Sequence, residues 1–175
     1  MNTESVGLRE VLSLERRDKT KYYLDIAQTV SERGTCLRRK FGAIIVKDDS
    51  IISTGYNGAP RGRKNCSDLG TCAREEMKIP RGERYELCRS VHAEQNAIVA
   101  APRSEMLGST LYLVCVDPAT GEVVGNVNSC SMCKRVILNA GISTVVIRET
   151  KDTYTAIDVR DWIENDDSLG GVFGY

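Results

Sequence analysis

The chain carries one imidazole, two thiols and one carboxylate in two short motifs. His92 is the only histidine of the sequence, and Glu94 follows it two residues later. Cys130 and Cys133 form a C-x-x-C pair further along the chain. Histidine and cysteine are preferred zinc ligands, and a site with three protein ligands keeps a fourth coordination position open for water. The sequence therefore predicts a catalytic zinc ion held by His92, Cys130 and Cys133.

Glu94 is predicted to move protons beside the metal without binding it. Zinc lowers the pKa of its bound water toward about 7, which makes hydroxide available at neutral pH. A carboxylate in a dry pocket takes a proton from that water and delivers it first to a ring nitrogen and then to a departing amine. The pattern H-x-E followed by C-x-x-C is typical of enzymes that deaminate, by hydrolysis, a carbon such as C4 of cytosine.

Two predicted helices place these motifs at their first turns. Apolar spacing predicts one helix over 91–101 and another over 129–140. The N-terminus of a helix carries about half a positive charge, and such a field favours thiolates over thiols. Both helix starts are therefore expected to converge on the metal.

The remaining elements must form a sheet that supports these helices. A first helix is predicted over 21–33 and a last helix over 155–165, with Ile157 and Trp162 facing inward. Short apolar runs predict strands at 41–46, 51–54, 111–116 and 144–147. This order predicts an α/β fold with a mixed sheet of four to five strands and helices on both faces.

Composition favours a single domain with a small-molecule substrate. The 175 residues are expected to form one domain, with a core of about 20–150 and a C-terminal helix and tail at 151–175. The 24 basic and 24 acidic residues cancel, which weighs against a nucleic-acid partner. No membrane segment or secretory leader is evident. Seven cysteines in such a chain suggest thiols or metal ligands, so a cytoplasmic location is expected.

Four further cysteines suggest a second metal site. Cys115 lies in a predicted strand and is assigned to the core, and residues 61–89 lack any clear period. Three of the four cysteines lie in that aperiodic stretch. A stretch of this length is ordered only if something, such as a bound metal ion, holds it in place. Four thiolates could close a structural zinc site, although Cys36 and Cys88 could equally be small buried residues. The candidate ligands of a second zinc are Cys36, Cys66, Cys72 and Cys88.

Several stretches resemble the deoxycytidylate (dCMP) deaminase family, within the cytidine deaminase-like fold. They are residues 35–46, 51–60, 92–98 and 140–142. Ser129 departs from the family, which has proline there, but serine also caps helices well. Residues 116–128 are longer than the family's usual link between the strand and the C-x-x-C pair. Within them, 116–124 are expected to form a small hairpin near the pocket mouth.

The resemblance implies a three-layer α-β-α fold and zinc-dependent deamination of dCMP to dUMP and ammonia. It implies that Asn57 contacts the substrate, although Asn57 could instead be a left-handed turn residue. It places the Ala93 backbone amide near the pyrimidine carbonyl. It further implies a homohexamer, activation by dCTP and inhibition by dTTP at the glycine turn formed by Gly55, Tyr56 and Gly58, and, in some members, a second structural zinc.

Phosphate binding is assigned to arginine side chains near the glycine turn, since guanidinium groups match phosphate oxygens. Arg61 and Arg63 flank that turn and are the first choices as phosphate or effector contacts. Arg38, Arg39 and Lys64 are further candidates.

Three alternatives remain open from the sequence. The first is a deaminase of the same fold acting on another cytosine nucleoside or nucleotide, or on a tRNA adenosine. The second is a non-catalytic zinc module in which Glu94 completes the coordination sphere. The third is a thiol hydrolase that uses Cys88 with His92, about one helical turn apart.

Overall fold

The structure, a computed structural model, describes residues 16–80 and 82–165. Its strands are β1 (Lys40–Lys47), β2 (Ser50–Tyr56), β3 (Thr110–Val116), β4 (Thr144–Arg148) and β5 (Tyr154–Asp158). Its α-helices are α1 (Lys19–Ser31), α2 (Cys66–Leu69), α3 (Ala73–Glu76), α4 (Ala93–Val99), α5 (Arg103–Met106), α6 (Ser131–Ala140) and α7 (Arg160–Glu164). A 3₁₀ turn spans Tyr85–Leu87.

The strands form one mixed sheet in the order β2-β1-β3-β4-β5. β3 and β4 are parallel, and the other neighbouring pairs are antiparallel. Side chains of a strand alternate between faces, so each face carries its own apolar cluster. In β1, Ile44 and Val46 pack with α1, whereas Ala43 and Ile45 pack with residues of α4 and α6. The predicted α/β fold, with helices on both sides of a mixed sheet, is confirmed.

Glycines let two helices approach the sheet closely. A side chain at Gly42 would overlap the backbone of α1 at Ala27. A side chain at Gly55 would overlap the backbone of α4 at Ala93 and Ala97. Gly55 therefore determines where α4, one of the two predicted site helices, sits on β2.

The C-terminal prediction was wrong in part. Residues 155–165 do not form one helix, because Tyr154–Asp158 is a strand that pairs antiparallel with β4 and only Arg160–Glu164 is helical. Without β5, the backbone N–H and C=O groups along the outer edge of β4 would have no partners in the sheet. Residues 154–158 form a strand because their own backbone groups hydrogen-bond to that edge. Ile157 and Trp162 do pack against the core, as expected. The predicted tail after Asn165 lies outside the described residues.

The aperiodic stretch 61–89 contains short helices, turns and the 3₁₀ turn, and its cysteines are described with the candidate site below. Across residues 16–80 and 82–165, no helix combines the length and the apolar character needed to cross a membrane.

Candidate active site

Two helix starts meet on one face of the sheet. His92 is the N-cap residue of α4, and Cys130 is the N-cap residue of α6. Gly58 and Val91 exchange two backbone hydrogen bonds, of 3.2 and 2.8 Å, which fix the chain directly before His92. Asn96 Nδ2 donates to the Tyr56 carbonyl at 2.7 Å and ties α4 to the end of β2. The rigid sheet therefore positions the imidazole.

The three predicted ligands lie at coordination spacing. His92 Nδ1 is 3.4 Å from Cys130 Sγ and 3.3 Å from Cys133 Sγ. Tetrahedral zinc, with bonds near 2.3 Å to sulfur and 2.0 Å to nitrogen, requires such donor atoms to be about 3.5 Å apart. Among the described residues, these three form the one group of potential ligands whose donor atoms all lie within 4.8 Å of one another. The donor set and its spacing fit zinc, and Glu94 is not in the group.

The charges of the site favour metal binding. Contact with Cys133 lowers the pKa of the Cys130 thiol, and the neighbouring His92 lowers it further. Burial alone would lower the pKa of His92, but its contacts with Cys130 and Cys88 and the charge of Glu94 raise it overall. A divalent cation replaces the protons that these groups share and favours both sulfurs as thiolates.

Glu94 is almost completely withdrawn from solvent, with 4% of its surface exposed. Burial raises the pKa of its carboxyl group, and the opposing effect of His92 is smaller. Such a carboxylate is a stronger base than one in water, as proton transfer at neutral pH requires. The site thus brings together a three-ligand metal group and a separate buried acid–base group.

A cavity of about 630 Å³ opens onto His92, Glu94 and Cys130. That volume suits a nucleotide-sized ligand. The Tyr85 ring meets the His92 ring edge-on, with 5.1 Å between their centres. Residues of the 116–128 segment, which include Asn126 and Asn128, form another part of the wall. The predicted small hairpin is present in that segment. An antiparallel bridge joins Val116 and Val123, and Asp117 N and Val124 N donate to the carbonyls of Glu122 and Cys115, each at 2.9 Å.

The two predicted substrate contacts both line the cavity. Ala93 is the first residue of α4, so its backbone N–H has no acceptor within the helix. Asn57 is not in the left-handed region. Its Oδ1 accepts from Phe41 N at 2.9 Å, and its Nδ2 donates to the Arg39 carbonyl at 2.8 Å. The amide of Asn57 therefore shapes the cavity wall by holding the chain at the start of β1.

The glycine turn is engaged in packing. Gly55 lies against α4, Tyr56 accepts from Asn96 through its carbonyl, and Gly58 pairs with Val91. The structure does not place Arg61, Arg63 or Lys64 on the cavity wall; instead, the basic side chains there are Arg38, Arg39 and Arg74.

Arg74, Tyr85 and the two asparagines of the 116–128 segment are site residues that the sequence did not reveal. Arg74 and Tyr85 lie in the aperiodic stretch, which carried no pattern from which to place them. Arg74 is 6% exposed, and its guanidinium carbon lies 4.5 Å from the centre of the Tyr85 ring.

The remaining cysteines are neighbours of the site. Cys36, Cys72 and Cys88 line the cavity, and Cys66 is buried beside them. Burial raises the pKa of Cys66, and each of the other three raises it further. The four thiols thus share one neighbourhood, without the tight spacing seen for the first ligand group. All seven cysteines lie in the described part of the chain and form no disulfide there.

Residues 17–149 match the family described as the cytidine and deoxycytidylate deaminase zinc-binding region. A Schizosaccharomyces pombe deoxycytidylate deaminase is 30% identical over 157 residues, which cover 85% of this chain and 45% of that protein. The chain therefore spans less than half the length of this relative. A deoxycytidylate deaminase of Mycobacterium phage D29 is 37% identical over 138 residues, which cover 76% of this chain and 96% of the phage protein.

Solved structures show the same architecture. The apo dCMP deaminase of cyanophage S-TIM5 superposes with a TM-score of 0.53 and 27% identity over 83% of this chain and 90% of that one. The same phage enzyme in complex with dCMP and dUMP gives a TM-score of 0.50 and 28% identity, over 74% and 80% of the two chains. A Burkholderia pseudomallei cytidine deaminase, at 17% identity and a TM-score of 0.53 over 80% and 92%, shares the fold.

Proposed function

This chain belongs to the cytidine and deoxycytidylate deaminase zinc-binding family, and from that premise we propose that it deaminates dCMP to dUMP by hydrolysis. The resemblance to the family noted in the sequence is thereby confirmed. The observation that carries the proposal is the His92, Cys130 and Cys133 group with the separate, buried Glu94 beside a nucleotide-sized cavity. The similarity to a phage enzyme solved with dCMP and dUMP supports this choice of substrate.

The roles follow from position. His92, Cys130 and Cys133 hold zinc, which when bound supplies hydroxide at neutral pH. Glu94 accepts one proton from the attacking water and passes it to the ring nitrogen next to the reacting carbon. It then takes the second proton from the hydroxyl now on that carbon and gives it to the amine, which leaves as ammonia while the carbonyl forms. The Ala93 N–H lies at the start of α4, where it can donate to the pyrimidine carbonyl. Asn57 holds the wall against which the sugar or base rests.

A substrate panel tests the proposal. We expect ammonia release from dCMP to exceed release from deoxycytidine, cytidine and a tRNA adenosine substrate.

Glu94→Gln replaces the carboxylate by an amide of nearly the same shape. This variant should keep its zinc and its fold but lose turnover by about a thousandfold or more. Retained turnover would contradict the role of Glu94, and loss of zinc would instead support the module in which Glu94 is a ligand. Activity that survives zinc chelation would support the thiol hydrolase with Cys88 and His92.

Arg38 and Arg39 are our candidates for the substrate phosphate. Both line the cavity, and each guanidinium is held by a carboxylate. Arg38 Nε lies 3.1 Å from Glu75 Oε1, and Arg39 Nη1 lies 2.7 Å from Asp117 Oδ2. We expect Arg39→Gln to raise the KM for dCMP about tenfold and to leave deoxycytidine turnover unchanged. Arg61→Gln is the control, and a larger effect there would support the sequence-based choice.

We propose a second, structural zinc ion held by Cys36, Cys66, Cys72 and Cys88. Their mutual effect on the pKa of Cys66 supports this site, beyond the larger effect of burial. The buried Arg74 supports it as well. Its Nε has no hydrogen-bond partner among the described residues. Zinc with four thiolates carries two negative charges, and a guanidinium in the same buried region offsets them.

Metal analysis tests this second site. We expect about two zinc ions per chain in the wild type and about one in Cys66→Ser. Cys133→Ser, which removes a ligand of the first site, should also retain about one. A wild-type content of about one zinc per chain would contradict the second ion.

Assembly and regulation are proposed from the family resemblance, and the location is proposed from the cysteine content. We propose a homohexamer that dCTP activates and dTTP inhibits, in the cytoplasm. Sedimentation analysis gives the subunit number directly. Turnover of dCMP with and without each triphosphate tests regulation, and a rate that neither nucleotide changes would contradict it.

A further inference from the structure

A glutamate outside the cavity ties the 116–128 segment to the sheet. Glu149 directly follows β4. Asn126 N donates to Glu149 Oε2 at 2.6 Å, and Thr155 Oγ1 of β5 donates to Glu149 Oε1 at 3.0 Å. A side chain at Gly125 would overlap the Glu149 carbonyl oxygen. One residue therefore holds the end of the segment against β4 and β5.

The backbone of Asn126 is fixed where the segment reaches the cavity. Its φ of +53° lies in the left-handed region, which asparagine tolerates better than most residues. The following residue, Val127, is partly buried and packs against the core cluster that includes residues of α4 and α6. Asn126, Val127 and Asn128 all line the cavity. This part of the wall is therefore held in place before any ligand binds, which favours a specific contact.

Three asparagines line the cavity within the described residues, and their side-chain amides differ in what they bind. Both amide atoms of Asn57 are bonded to backbone groups. Asn128 Oδ1 accepts from Ser129 N at 2.8 Å. Among residues 16–80 and 82–165, the side-chain amide of Asn126 has no hydrogen-bond partner. Asn126 thus brings to the cavity an amide with both its donor and its acceptor unengaged.

We propose that the Asn126 side-chain amide binds the 3′-hydroxyl of the nucleotide sugar. In the proposed reaction, the pyrimidine edge is assigned to Ala93 and Glu94, and the phosphate is assigned to two arginines. The sugar hydroxyl remains as a group that both donates and accepts, and an amide offers both functions. The inference rests on the proposed deamination and adds to it a residue that selects the substrate. Glu149 is a positioning residue, because it acts through Asn126.

Turnover of dCMP and of 2′,3′-dideoxycytidine monophosphate, which lacks the 3′-hydroxyl, tests the contact. A site that bonds a substrate hydroxyl discriminates against the analogue without it, so we expect the wild type to prefer dCMP about tenfold or more in kcat/KM. Asn126→Ala should lower kcat/KM for dCMP by about the same factor, mainly through KM, and leave the dideoxy substrate within about twofold. The preference should therefore disappear. Asn128→Ala is the control on the same wall and should keep the wild-type preference.

Glu149→Ala tests the positioning role. This variant should lose most of the preference for dCMP, and its combination with Asn126→Ala should lose no more than Asn126→Ala alone, because both changes act on one contact. Glu149→Gln keeps one side-chain oxygen that can accept from Asn126 N and should restore most of the preference. Glu122→Gln removes a carboxylate from the exposed part of the same segment and should change nothing. Zinc content should equal that of the wild type in every variant.

Two results would overturn the contact: a wild type that deaminates both nucleotides equally well, or an Asn126→Ala variant that keeps the preference. Additive effects of the Asn126 and Glu149 substitutions would overturn the role of Glu149. Asn126→Gly suits the left-handed backbone, removes the same amide and decides the question if the alanine variant does not fold. A wild-type protein that releases ammonia from neither nucleotide would contradict the proposed function itself, which distinguishes the two failures.

Discussion

Gly55 sets the distance between the sheet and the helix that carries the catalytic side chains. Its missing side chain leaves room for the Ala93 carbonyl and the Ala97 N–H of α4. We expect Gly55→Ala to cost about 3 kcal/mol of unfolding free energy, because backbone, not a flexible side chain, must move. The variant should also lose turnover, since His92 and Glu94 move with α4.

Urea denaturation of Gly55→Ala and Gly121→Ala measures this effect. Gly121 has φ of +73° and open space around the added carbon, so its substitution tests backbone strain alone. That strain costs about 1–2 kcal/mol. Equal destabilisation by the two substitutions would show that the approach of α4 is not limiting.

Asn57 supports the cavity wall through two partly buried hydrogen bonds, with Phe41 N and the Arg39 carbonyl. We expect Asn57→Ala to lower the unfolding free energy by about 2–3 kcal/mol, since both backbone groups lose their partner. Asn57→Asp keeps the acceptor for Phe41 N but places a carboxylate against the Arg39 carbonyl. We expect it to lower the unfolding free energy at least as much as Asn57→Ala does. Thermal and urea unfolding measure both variants. Asn139→Ala, on the exposed side of α6, is the control, and an equal loss there would refute the argument.

The roles of site residues could be predicted from the sequence where they depend on residue type and on spacing within a short motif. His92, Glu94 and the C-x-x-C pair could be assigned because zinc chemistry restricts the residue types, and helix starts restrict the geometry. The contact of Arg74 with the Tyr85 ring depends on which segments the fold brings together. The long stretch between Arg61 and Arg89 has no hydrophobic periodicity, so the sequence does not show where its side chains lie in the fold.

At the scale of elements, a buried arginine at the end of β4 forms hydrogen bonds with two side chains of α1. Arg148 is 3% exposed, and its Nη2 and Nη1 lie 2.6 Å from Asp25 Oδ1 and from Gln28 Oε1. Burial tends to raise the pKa of Asp25, but contacts with Arg148 and Arg17 lower it overall. A carboxylate with a lowered folded-state pKa stabilises the fold above its unfolded pKa, and that contribution is lost as the pH falls through the folded pKa.

Asp25→Asn therefore has a pH-dependent cost. At pH 7 we expect a loss of about 1–2 kcal/mol, less than for a fully buried pair because solvent reaches the carboxylate. The difference from wild type should shrink below pH 3.8, the ordinary value for Asp25, as the wild-type carboxylate is itself protonated. Urea unfolding at pH 7 and near pH 3 gives the comparison. A difference that grows on acidification would reverse the assigned sign.

The elements predicted best are those with a strong period and a buried face. The strands at 41–46, 111–116 and 144–147 match β1, β3 and β4 closely, and the site helices are only shorter than predicted. Tyr154–Asp158 was missed because β5 is an edge strand with mostly exposed side chains. Its pairing depends on the free edge of β4, which the local sequence does not reveal.

At the scale of the whole molecule, the first metal site joins parts of the chain that are distant in sequence. His92 begins α4, and Cys130 and Cys133 begin α6, with β3 between them. A ligand that binds the folded state alone stabilises it, by about 2.7 kcal/mol at a hundredfold excess over its dissociation constant. Removal of zinc should therefore lower the melting temperature by about 5 °C or more for a chain of this size.

Cys66→Ser and Cys133→Ser separate the contributions of the two proposed ions. In Cys66→Ser, chelation should still lower the melting temperature and abolish turnover, because the His92 group keeps its ion. In Cys133→Ser, turnover is absent from the start, and any remaining effect of the chelator on melting reports the four-cysteine site. Calorimetry before and after chelation, with zinc added back, measures both. A Cys66→Ser protein that melts at one temperature with or without chelator would show that α4 and α6 are held together by packing alone, and would remove the metal from the architecture of the site.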